Sequence, residues 1–213
     1  QLNGNERSGE FRLNVKDGAL HLPTALTESI ELGRLDLAGG WSYEKPKGSA
    51  QDALTVRIGS GHAVNPYVSA DVSGYWQARP AGPGYLDVRA QAKRAQLDAV
   101  WRYIPIVATE YVSTWLHESL TSGRGEDLHF QLTGDLTQFP FNKSPGVFRL
   151  ESKLVDAKLE TFAPGWPGVS AIQGSFVLDR QRMTIRAERG RYQGAAVRDV
   201  KVEIPDLMEH DNP

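Results

Sequence analysis

The chain has no cysteine and only two methionines in 213 residues. The absence of thiols excludes disulfides, thiolate zinc sites, iron–sulfur clusters and thiol nucleophiles, and it leaves the redox compartment open. Neither sign of charge dominates: 24 basic side chains face 26 acidic ones, a formal net charge of −2. There is therefore no global field for DNA or RNA, and no nucleic-acid partner is expected. No apolar run approaches the ~20 residues of a membrane-spanning helix, and the N-terminus carries no signal-peptide pattern. It opens Gln1-Leu2-Asn3-Gly4 without a methionine, which reads as a processed chain or an excised fragment. Glycine is the residue in excess, at 21 of 213, against a usual ~7%. With 12 prolines it disfavours a helical bundle and favours many short strands. The length suits one large domain or two small ones, with a real core.

What is present is a period of two. Phe11, Leu13 and Val15 alternate with Arg12, Asn14 and Lys16, and Lys16-Asp17-Gly18 reads as a turn. The same alternation runs through Leu54, Val56 and Ile58; through Val68, Ala70, Val72 and Gly74; and through Leu86, Val88, Ala90 and Ala92. It returns in Leu128, Phe130 and Leu132, in Ile172 to Leu178, in Met183, Ile185 and Ala187, and in Val200, Val202 and Ile204. Asp179-Arg180-Gln181-Arg182 reads as a polar turn, and Gly59-Ser60-Gly61 as another. Each strand has one apolar and one polar face, and the continuous Val/Ile runs of a doubly buried parallel sheet are absent. The fold expected is mainly β: a curved, mostly antiparallel meander forming an open groove. Two strands change phase midway, between Leu32 and Leu35 and between Leu154 and Val155, as a β-bulge requires.

One stretch breaks the period. Leu97, Val100, Trp101 and Ile104 lie at i, i+3, i+4 and i+7, which is helical spacing. Pro105 should end or kink that helix. Val107, Tyr111, Val112, Trp115, Leu116 and Leu120 form a second stripe, and Ser122-Gly123-Arg124-Gly125 should stop it. The organisation expected is a β segment over 1–93, a helix–Pro–helix insert over 94–122 and a second β segment over 123–213. The insert reads as a plug on the apolar face, with a cap over a cavity end or a membrane-surface contact through Trp101 and Trp115 as the alternatives. A faint internal repeat links Phe11-Arg12-Leu13 with Phe148-Arg149-Leu150, and Val15 and Asp17 with Val155 and Asp156.

Signals for catalysis are weak. There is no G-x-S-x-G elbow, P-loop or H-E-x-x-H. His21, His62, His117, His129 and His210 are scattered without ligand spacing, so neither a metal nor a cofactor is expected, and the chain reads as a non-enzyme. The densest charge feature runs from Arg180 to Lys201. It reads as a solvated outer strand face, with anionic lipid headgroups as the alternative contact.

Thr161-Phe162-Ala163-Pro164-Gly165-Trp166-Pro167-Gly168 is the most distinctive stretch. Its prolines and glycines make a rigid corner that Trp166 can pin to a sheet face. Around it stand Val155-Asp156-Ala157, Ile172-Gln173-Gly174-Ser175-Phe176, Met183-Thr184-Ile185, Arg102-Tyr103-Ile104-Pro105 and Gly134-Asp135-Leu136-x-x-Phe139-Pro140-Phe141. This ordered set, over roughly 100–205, resembles the YhdP branch of the AsmA-like family, while 1–95 is similar only in style. The resemblance implies an internal fragment of a Gram-negative periplasmic protein. It further implies anchoring in the inner membrane through an N-terminal helix absent from this chain, and a β-groove implicated in phospholipid transport toward the outer membrane. Phospholipid acyl chains are the partner implied, with other envelope proteins possible.

An acyl chain of 16 carbons exposed to water costs on the order of 12 kcal/mol, so lipid crossing an aqueous gap needs a shielded apolar path. One-faced strands supply such a lining without reactive groups. The residues expected to line it are Leu54, Val56, Ile58, Val68, Val72, Phe130, Leu132, Phe176, Leu178, Met183, Ile185, Val200 and Val202. The alternatives are a scaffold whose apolar face is filled by its own side chains, and a sugar-binding or hydrolytic β-sandwich using Trp41, Trp76, Trp101, Trp115 and Trp166.

Overall fold

The computed structural model describes residues 1–21, 28–45, 51–103, 110–160 and 167–206. Eleven strands form one sheet in strict chain order, β1 (Leu2–Gly4), β2 (Ser8–Leu20), β3 (Ile30–Glu44), β4 (Ala53–Val64), β5 (Val68–Gln77), β6 (Tyr85–Gln96), β7 (Leu120–Asp135), β8 (Val147–Leu159), β9 (Val169–Asp179), β10 (Arg182–Tyr192) and β11 (Ala195–Ile204). Every neighbouring pair is antiparallel. β1 and β11 do not pair with each other, so the sheet stays open. The expected mainly-β antiparallel meander is the fold observed.

Several expected turns are bulges inside longer strands. Asp17 sits within β2 with φ of 50°, and Asp156 within β8 with φ of 51°. The two positions paired by the faint repeat thus share one left-handed conformation. Gly59-Ser60-Gly61 lies inside β4, where the pairing with β5 shifts register between Ile58 and Gly61. The phase changes are real as well: Leu32 and Leu35 are both buried, as are Leu154 and Ala157. Each bulge lets a strand turn a new set of side chains to the same face and bends the strand. Arg180, by contrast, stands at a true two-residue turn between β9 and β10 with φ of 57°.

The insert between β6 and β7 is a 3₁₀ helix, η1 (Leu97–Tyr103), followed by α1 (Glu110–Ser119). The first helix is tighter than the α-helix that its spacing suggests. Ser122-Gly123-Arg124-Gly125 does not end a helix but belongs to β7, with Gly123 at φ of 111°. Ile104, Pro105, Val107, Thr161 to Trp166 and His210 lie outside the described residues. η1 lies against β7 and the end of β6, and α1 packs mainly on η1. β6 and β7 pair along their length beside the insert, so the sheet continues through it.

The core is concentrated under η1. Leu97, Leu154, Ala157, Leu159, Ile172 and Ala187 form one buried cluster, with Val100, Leu120, Val169, Phe176 and Ile185 packed against it. Tyr103 ties η1 to the β4–β5 hairpin: the Asn65 amide donates to its hydroxyl at 2.8 Å and to the Glu31 carbonyl at 3.0 Å. Burial pushes the Tyr103 phenol above its ordinary range.

Candidate functional site

Register makes a continuous surface of the apolar faces. Leu13, Leu37, Gly61, Val72, Ala90, Phe130, Leu150, Leu178, Met183 and Ile204 are successive cross-strand partners from β2 to β11. Nine interstrand steps of about 4.8 Å make this row roughly 43 Å long. A second row runs Leu2, Phe11, Gly39, Ile58, Gly74, Val88, Leu132 and Phe148. A third joins Trp41, Val56, Trp76, Leu86 and Gly134. No polar residue interrupts any of the three.

The thirteen residues singled out from the sequence all fall on this face. Ile58, Val72, Phe130, Leu132, Leu178 and Met183 stand in the first two rows, and Val56 in the third. Leu54 pairs with Tyr43 and Val68 with Ala95. Phe176 faces Ile185, which faces Val202, while Val200 faces Ala187. Most are half-buried, but two extremes stand out: Met183 is 3% exposed and Val200 39%. Phe176 and Ile185 pack against the core under η1, so that end of the face is filled by the chain itself.

Trp41 and Trp76 were not among the thirteen. They share the apolar face on either side of Val56. The Trp76 indole N–H donates to the Pro83 carbonyl at 2.8 Å, which fixes the ring. Alternation alone hinted at their side, but pairing between strands was needed to bring them together.

At the end of the sheet away from η1, the β7–β8 connection folds over the same face. Its short 3₁₀ helix, η2 (Leu136–Gln138), is capped by Asp135, whose carboxylate accepts from the Thr137 N–H at 2.9 Å and hydroxyl at 2.6 Å. Those bonds hold the Asp135 carboxyl below its ordinary range. Phe141 is fully buried. Gly134, at φ of 150°, leaves its space, since a Cβ there would stand 2.5 Å from the Phe141 ring. Phe139 touches both Phe141 and Phe148, and Phe148 meets Phe130 edge-on at 6.3 Å. Between η1 and this aromatic string, no second layer covers the face among the described residues.

The opposite face is polar and carries several ion pairs. Arg34 meets Asp36, His62 meets Asp71, and Lys153 meets Asp127. Arg149 bridges Glu151 and Asp179. A hollow of about 510 Å³ between β2, β3 and β4 is lined by Glu10, Arg12, Ser42, Thr55 and Arg57 among others. Tyr75 and Tyr85 stack at 6.1 Å, with Arg57 over the first ring and Arg79 over the second. Of the remaining histidines, His21 bonds the Ser29 hydroxyl and His117 lies on the Trp101 ring. No group of three or more potential metal ligands occurs among the described residues, and no helix among them is long and apolar enough to cross a membrane.

A comparison with curated proteins finds no match, and neither does one with solved structures. The model of one family, described as YhdP protein, matches residues 1–213, so it reaches the first 95 residues as well as the motif-bearing part. On this match the chain belongs to the YhdP family.

Proposed function

We propose that this chain is a non-catalytic segment of a periplasmic protein whose apolar sheet face carries phospholipid acyl chains between the inner and outer membranes. The observation that carries the reading is the unbroken apolar row across β2–β11, over most of which no second layer lies among the described residues. Large uncovered apolar surfaces are rare on proteins that work alone in water. Membership in the YhdP family is consistent with a lipid-transport-related envelope protein. Anchoring to the inner membrane belongs, in this reading, to a helix outside these residues. Envelope proteins at either membrane would be its further partners.

The row lies across the strands, so a chain moving along it meets apolar side chains at every strand. The thirteen lining residues act together as a solvent for hydrocarbon, each contributing contact area instead of a specific bond. A non-transporting scaffold is the competing reading, favoured at one end by the self-filled cluster under η1. Incubation with phospholipid vesicles, re-isolation and mass spectrometry of the protein separates the two. Transport predicts co-purifying phospholipid, while a folded protein that captures none supports the scaffold.

A further inference from the structure

Some cations on the polar face are matched by carboxylates, as at Arg34, Lys153, Arg149, Lys158 and Arg182, while Arg12, Lys16, Arg57, Arg89 and Arg94 join no ion pair among the described residues. The last two strands hold four more of these unpaired cations. Register sets Arg186 directly across from Lys201, and Arg189 directly across from Arg198, with Arg191 further along β10. All five are exposed. Lys201 meets Glu203 at 2.5 Å, whereas Arg186, Arg189, Arg191 and Arg198 form no salt bridge among the described residues. On the other side of β10 their cross-strand neighbours are Ser175, Gln173 and Ser170, which neutralise nothing. Glu188 and Asp199 are nearby, but they fall where the alternation is interrupted, Asp199 at φ of 54°.

Like charges directly opposite each other destabilise a strand pair, and here two such pairs stand side by side. Protection of the open edge explains charges on β11. It does not explain Arg186, Arg189 and Arg191, which sit one strand inward. An anionic ligand would offset the repulsion. The strip extends about 16 Å from Arg186 to Arg191 at 3.3 Å per residue. It lies on an open strand face, outside the hollow between β2, β3 and β4. Such a layout suits an array of charges better than one enclosed ion.

We propose that the outer face of β10 and β11 docks on the anionic headgroups of a lipid bilayer. The proposal concerns the face opposite the apolar rows and rests on charge alone, so it stands or falls separately from acyl-chain carriage.

The test is co-sedimentation of the 213-residue chain with vesicles of phosphatidylcholine alone, or of equal parts phosphatidylcholine and phosphatidylglycerol. Binding should require phosphatidylglycerol and should fall steeply as salt rises. Each cation removed should lower partitioning about fivefold, so Arg189→Ser with Arg198→Ser should lower it about 25-fold. Arg189→Lys with Arg198→Lys should stay within about twofold of the parent, and Lys153→Ser, a matched cation, should change little. Thermal melts add a readout that a structural role would not give: the double serine variant should melt no lower than the parent, because repulsion has been relieved. Equal binding to both vesicle types, or undiminished binding by the serine variant, would overturn the proposal. So would a lysine variant that fails to bind. Displacement by inorganic phosphate beyond that of chloride at matched ionic strength would instead assign a discrete anion site, and would also overturn it.

Discussion

Phe141 and Asp135 show what single residues hold in place at the end of the sheet opposite η1. Phe141 is the largest fully buried side chain described, and it stands against Gly134 and Gly146. Phe141→Ala should lower the unfolding free energy by about 3 kcal/mol, because the aromatic string around it cannot collapse into the space. Gly134→Ala should destabilise as well, through both the clash with Phe141 and the φ of 150°. Urea denaturation of each variant measures both effects. Asp135 gives a pH dependence. Its folded pKa lies below the unfolded value of about 3.9, so its stabilisation is present at neutral pH. It is lost as pH falls from that value through the folded one. Asp135→Asn should therefore narrow the gap between denaturation midpoints at neutral and acid pH. An unchanged gap would show that the carboxylate contributes nothing beyond what an amide supplies.

At the scale of elements, η1 both covers the apolar face and reaches back to a distant hairpin. Tyr103→Phe removes the hydroxyl that accepts from Asn65 at 2.8 Å and should cost about 1 kcal/mol, measured by the same denaturation. Strand identities were legible in the sequence because one-faced strands write themselves as a period of two. Their lengths were not. Asp17, Gly59 and Gly123 carry turn-like residues, yet each sits within a strand that bulges and goes on. Local chemistry is the same for a turn and a bulge, and only the partner strand decides between them. The same limit explains η1, where spacing of apolar residues cannot distinguish a 3₁₀ from an α-helical turn over so short a stretch. It also explains the tryptophans, since Trp41 and Trp76 become neighbours of Val56 only through register. The side of the sheet on which each lining residue falls was readable, and its accessibility was not: Met183 is buried while Val200 is exposed on the last strand.

At the scale of the whole molecule, the described strands form one sheet with two unlike faces. A carboxylate placed in the middle of the longest row should disable it without unfolding the chain. Ala90 lies there, between Val72 and Phe130, and is half-buried. Ala90→Asp should keep the β-sheet circular dichroism but reduce lipid capture by roughly tenfold or more, since a buried carboxylate beside hydrocarbon is strongly unfavourable. The most direct measurement of the central claim is site-specific photo-crosslinking to phospholipid, with the probe placed in turn at Val72, Phe130 and Leu150 on the apolar row and at Asp71, Gln131 and Glu151 on the other face. Lipid adducts are expected at the first three positions and few or none at the last three; a folded protein labelled equally on both faces, or on neither, would contradict acyl-chain carriage on the apolar face.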